Sequence, residues 1–276
     1  MSSVCTIPVV LCVIRGGGDL ATGVAWRLTR AGVDVVVTEL PEPLTVRRAV
    51  ALSTAVSEGA IDIEGMTGRL AATAAAAIGI ARSGDVGVLV SPELSAVDAD
   101  VVVDARLAKR NIDTAIDDAD LVVALGPGFT AGVDCHAVVE TQRGHHLGRV
   151  LWSGSAAPDT GTPGIVGGHG AERVLRTPMG GRVRWTHAIG DLVVAGEPLG
   201  AVEPDDADGS EGVGATISAP FDGVVRGLIA NGTEVQSGLK IGDVDPRPDP
   251  AMCAEISDKA LAIGGGVVEA VLSWPR

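Results

Sequence analysis

The chain has 276 residues, with 35 acidic against 21 basic side chains and a formal net charge of −14. A 46% hydrophobic fraction and a mean hydropathy of +0.33 exclude global disorder and supply a large core for one or two domains. The same charge repels a phosphate backbone, and two Phe, four Trp and no Tyr leave little for stacking bases, so nucleic acid is excluded as a partner. Four cysteines without a CxxC pair argue against a disulfide scaffold or a structural zinc module. The apolar opening through Ile14 is too short to span a bilayer and lacks a basic leader, so a cytoplasmic chain without a membrane partner is expected.

The run from Val9 to Ile14 reads as a central parallel strand leading into Arg15-Gly16-Gly17-Gly18-Asp19-Leu20-Ala21. Leu20 to Arg30 reads as a helix, and Val33 to Thr38 as a second strand closing on Glu39. Gly16, Gly18 and Ala21 fit G-x-G-x-x-A in a strand–turn–helix setting, with Glu39 placed 21 residues beyond Gly18 to meet a ribose. Glycines there let the backbone approach a pyrophosphate that the helix N–H groups face. A plain packing turn is the competing reading. Asp19 disfavours phosphate unless it caps the helix or binds a metal, and Arg47, with Arg48, on an expected helix start is placed to offset it.

Further strands are expected at 86–90, 101–103 and 121–125, with an alanine-rich helix over 70–81. Their carboxyl ends carry Asp104-Ala105-Arg106, Lys109-Arg110 and the Gly126–Gly132 loop, where Gly126 and Gly128 present N–H groups to an anion. A surface ion-pair cluster and an ordinary turn are the alternatives. If 133–141 is a strand, Asp134, His136 and Glu140 share a face, and His136 with His145 is the candidate metal pair. Structural histidines are the competing reading.

From Thr177 the pattern changes. Small-Pro, Gly-x-Val and Gly-x-x-Val-x-x-Gly occur twice, about forty residues apart, and resemble the barrel-sandwich hybrid of biotinyl and lipoyl carriers. The connection Pro204–Ser218 has no lysine, which excludes biotin or lipoate, and it is expected to be a mobile acidic tip. A last helix opens at Ser257 and carries Gly264-Gly265-Gly266, which calls for close packing on another element. The expected fold is therefore a Rossmann-like doubly wound parallel sheet (1–172) with an inserted all-β barrel-sandwich domain (173–246) and a returning helix (247–276).

The strings RGGGDLATGVAWRL, RRAVALSTAVSEG, LAKRN, ALGPGFTAGVDCHAVVETQRGHHLGRV, GLKIGDVDPR and ISDKALAIGGGVVEAVL resemble the YqeB-like family of the selenium-dependent molybdenum hydroxylase system. The resemblance implies an accessory or maturation factor whose partner is a molybdenum hydroxylase apo-enzyme of the xanthine dehydrogenase type. It carries no catalytic residue across. A nucleotide-type small molecule is then the expected ligand, specifically a dinucleotide (molybdopterin dinucleotide or NAD(P)). Two other readings stay open at this point. One is an NAD(P)-dependent oxidoreductase, with His136 or Lys259 as acid–base partner; the other is a non-enzymatic docking scaffold. Homo-oligomerisation is also left open.

Overall fold

A computed structural model describes residues 10–93, 97–162, 164–204 and 214–275. Chain contacts divide into two compact units: Met1–Pro43 with Leu52–Asp159 and Ser257–Arg276, and Leu44–Ala51 with Thr160–Ile256.

In the first unit β1 (Leu11–Arg15), α1 (Asp19–Arg30) and β2 (Asp34–Glu39) follow in order. Then come α2 (Ala55–Glu58), β3 (Ala60–Ile63), β4 (Met66–Ala71), α3 (Ala74–Arg82), β5 (Val86–Val90), β6 (Val101–Asp104) and β7 (Leu121–Leu125). β8 (Ala137–Val139), β9 (Val150–Leu151) and α4 (Asp258–Ser273) complete it. The strands form one nine-stranded sheet in the order β3-β4-β5-β2-β1-β6-β7-β8-β9. Buried Val, Leu and Ile runs on the central strands make it a two-sided core, as parallel strands require.

This architecture corrects the expected doubly wound parallel sheet with a barrel-sandwich insert. The sheet is mixed, because β3 is antiparallel to β4 and β9 to β8. Glu64 and Gly65 both take positive φ (48° and 77°), the two-residue geometry that reverses a chain into a hairpin instead of a crossover. The expected helix over 70–81 therefore begins as strand. Helix α3 starts only after Thr73, whose side chain accepts from the Ala76 N–H.

α4 packs along α1. A Cβ on Gly264 would strike the Gly23 carbonyl, and one on Gly266 the Gly148 carbonyl, so two of the three consecutive glycines allow backbones to touch. Gly265 faces open space.

The second unit contains β10 (Val174–Arg176), β11 (Gly181–Trp185), β12 (Leu192–Val193), β13 (Pro198–Glu203), β14 (Ala215–Ser218), β15 (Gly223–Leu228), β16 (Glu234–Val235) and β17 (Lys240–Asp245). They form two four-stranded antiparallel sheets, β10-β17-β15-β12 and β14-β13-β11-β16, rather than a single barrel-sandwich. The short strands cross between sequence repeats: β12 pairs with β15 and β16 with β11. Val183, Leu199, Val225, Leu228 and Ile241 lie in their shared core. Most of the expected acidic tip, 205–213, lies outside the described residues.

Candidate functional site

Because β1, β6, β7 and β8 are parallel neighbours, the loops that leave their carboxyl ends rise on one edge of the sheet. The strand order departs in opposite directions from β1, towards β2 on one side and β6 on the other. That is the place where a parallel sheet opens a crevice.

The glycine turn forms one wall. Gly16 takes φ +89°, which strains any other residue, and a Cβ there would lie only 3.2 Å from the Arg106 backbone. A Cβ on Gly17 would lie 2.8 Å from the Ser53 nitrogen, whose N–H donates to the Gly17 carbonyl. Gly18 differs: it is the N-cap of α1, no side chain caps the helix, and a Cβ there would meet nothing within 4 Å. Ala21 is fully buried beneath it. Asp19 occupies the first helical position, where its charge suits the helix dipole.

Glu39 does not wait for a ribose. Its carboxylate accepts from the Gly17 N–H (2.7 Å) and the Leu40 N–H (2.7 Å) and so braces the turn from inside. This removes the acid on which the dinucleotide reading relied.

Beside Gly16 lies a buried ionic cluster. Asp104, 1% exposed, accepts from Arg106 Nη2 (2.6 Å) and Thr114 Oγ1 (2.7 Å). Arg15, 2% exposed, donates to Thr114 Oγ1 and Asp113, and Arg106 pairs with Asp113 as well. Partial burial works to raise the Asp113 pKa, but hydrogen bonds from Arg15 and Arg106 outweigh it and hold the group below the usual carboxylate range. Asn111 closes the loop by donating to the Thr114 carbonyl and to Asp134, while its own carbonyl accepts the Thr114 N–H. Sequence reasoning placed Asp104 and Arg106 at a strand end but missed Arg15. The available signal was one charged residue ending an otherwise apolar strand.

Lys109 and Arg110 lie in that loop, and Gly128 packs directly on the Arg110 backbone, so these residues share the edge with Gly16 and Gly18. Lys109 is exposed and paired with Asp159 at 2.7 Å. Gly126 packs on Thr141 and donates its N–H to the Val139 carbonyl. At the far side, Arg143 forms a two-point bond with Asp258 at the start of α4 (2.8 and 2.9 Å). Next to it is Lys259, whose pKa is lowered by burial and by Arg143, against the raising influence of Asp19, Glu140 and Asp258. α1 and α4 thus bring their N-termini to the same edge.

Two expected members lie elsewhere. Arg47 belongs to the second unit, just before a short 3-10 turn (Arg48–Val50) rather than on an α-helix start, and donates to the Met252 and Glu255 carbonyls. His136 precedes β8 at the amino edge, accepts the Val122 N–H on Nδ1 and packs on Trp274, while exposed His145 follows β8 and touches His146. The pair therefore flanks a strand from opposite ends and cannot share an ion. Among the described residues no three His, Cys, Asp or Glu side chains group to hold a metal. Around His136 the amino edge opens a depression of about 1010 Å³ lined by Asp98, Asp100, Asp117, Asp118 and Asp120, which repels anions.

No family model matches the chain. The chain is similar to a bacterial protein known as YqeB. The match, to the uncharacterized protein YqeB of Escherichia coli K12, is 46% identical over 265 residues and covers 95% of this chain. It covers 47% of the relative, so the chain spans about half the length of the curated protein it matches. That relative's name carries no activity, and the molybdenum hydroxylase link is not shown by it. Among solved structures, an aspartoacylase family protein from Mesorhizobium loti aligns over 87% of this chain and 86% of its own, at 13% identity and a TM-score of 0.30. A succinylglutamate desuccinylase/aspartoacylase from Rhodobacter sphaeroides aligns over 27% and 22%, at 23% identity and a TM-score of 0.25. The names these neighbours bear are desuccinylase and aspartoacylase, so the expected maturation factor and oxidoreductase gain no support from them. TM-scores this low carry no desuccinylase chemistry to this chain either. Among the described residues no helix is long and apolar enough to cross a membrane.

Proposed function

We propose that the first unit binds the anionic group of a phosphate-bearing small molecule at the carboxyl edge of its sheet, over Gly17 and Gly18. The observation that carries this reading is the first turn of α1. It has no side-chain cap, and Gly18 in front of it opens onto free space. The N–H groups of such a turn need acceptors, and an anion supplies them together with a favourable dipole interaction. Lys259 adds a positive charge close enough to interact with Asp19, which offsets the carboxylate in that turn. Arg106 is held by Asp104 and Asp113, so its role is to shape the wall and not to pair with ligand.

Isothermal titration with inorganic pyrophosphate tests the reading. Gly18→Val places its side chain in open space, so the variant is expected to fold like the parent and to lose this site. Lys259→Met is expected to weaken it roughly tenfold, the loss of one charge-assisted contact. Pyrophosphate affinity and stoichiometry unchanged in a folded Gly18→Val protein would overturn the proposal.

A further inference from the structure

The second unit contains a different concentration of cationic groups. Arg173 is buried and donates Nη2 to Asp243 at 3.2 Å and Nη1 to the Gly164 carbonyl at 3.1 Å. Arg226 reaches Asp245 only at 3.3 Å, and that carboxylate is held more closely by Arg247, through Nε at 2.9 Å and Nη2 at 2.7 Å. The Nε–H groups of both Arg173 and Arg226 are buried without a partner among the described residues. A donor on a cation in that position has given up water and gained nothing in return. Burial lowers the Arg226 pKa most, and the charges of Arg47 and Arg173 lower it further, against the raising influence of Asp243 and Asp245. Like charges gathered around open donors are the arrangement that an oxyanion relieves.

We infer that the second unit holds a compact free oxyanion of the phosphate type between Arg173 and Arg226, accepting from their buried, unpartnered Nε–H groups. The depth of those atoms suits an inorganic ion better than the ester of a large molecule. The site is independent of the crevice in the first unit, and the two fail separately.

The test uses the full chain carrying Gly18→Val, so that the crevice is blocked, and titrates inorganic phosphate at fixed ionic strength by calorimetry and thermal unfolding. One saturable site is expected, with an unfolding midpoint that rises as phosphate is added. Adding Arg226→Met should weaken that binding roughly tenfold or more. The same change should leave the midpoint in phosphate-free buffer unchanged or higher, because one repelled charge is gone. A simple structural ion pair would give the opposite sign. No saturable phosphate binding in the Gly18→Val protein overturns the inference, as does binding that Arg226→Met leaves intact. Should Arg226→Met fail to fold, Arg226→Lys keeps the charge while removing the Nε donor and should lose the site equally.

Discussion

The two units each bury arginines beside aspartates, and they do so in opposite ways. In the first, Arg15 and Arg106 meet Asp104 and Asp113 with Thr114 between them. Charges match one for one. In the second, Arg226 shares Asp245 with a better-placed Arg247, and buried Nε–H groups stay open. A closed cluster can only hold structure: it ties the loop after β6 to the end of β1 and so sets the shape of the crevice. An open cluster has donors to offer. The same contrast applies to glycines, since Gly264 is closed by a neighbouring backbone while Gly18 and Gly265 face empty space.

The largest effect should come from breaking the closed cluster. Asp104→Ala leaves the Arg106 guanidinium and the Thr114 hydroxyl without their buried acceptor and should cost about 3–5 kcal/mol in urea unfolding, the range for a buried pair that loses one partner. A loss below about 1 kcal/mol would mean that the cluster is solvated and the contrast is false. The glycines sharpen it next. Gly264→Ala forces α4 away from α1 and should destabilise by about 1–3 kcal/mol, whereas Gly265→Ala, one residue on, should stabilise by up to about 1 kcal/mol. Equal effects at the two positions would show that helix propensity, not backbone contact, governs α4. Thr73→Ala removes the cap of α3 and should cost about 1 kcal/mol in the same assay.

The smallest effect is on pH. Hydrogen bonds from Arg15 and Arg106 overcome partial burial and depress the folded pKa of Asp113. Its contribution is therefore present above the unfolded value of about 3.9 and is lost as pH falls through the lower folded value. Half-exposure of the side chain keeps this contribution small. Asp113→Asn should lower stability slightly at neutral pH and flatten the acid limb of the stability–pH curve, so that parent and variant converge below about pH 4; a larger loss at pH 3 than at pH 7 would reverse the assignment.

Much of the first unit could be read from its residues, because the short Val- and Leu-rich runs at 86–90, 101–103 and 121–125 fit buried strands, and strands cover all three. The β3–β4 hairpin escaped, since Glu64 is an ordinary residue whose positive φ is imposed by the turn and has no local signature. The alanines after it also favoured helix too early. At the site, the glycine turn was visible as a motif. Which acids face the ligand and which face the backbone was not, because Glu39 could equally point at a ribose or at Gly17. Arg47 was misplaced for a related reason: nothing in its neighbours tells that 44–51 joins the second unit. His136 and His145 looked adjacent in sequence, yet an intervening strand separates them.

The central claim is that the bare first turn of α1 receives an anion. Amide NMR shifts on adding inorganic pyrophosphate report on those N–H groups directly. The account predicts that the amides of Gly18, Asp19, Leu20 and Ala21 move most, saturate together and stop responding in Gly18→Val. Shifts confined to other residues, with these four amides unmoved at saturation, would contradict it.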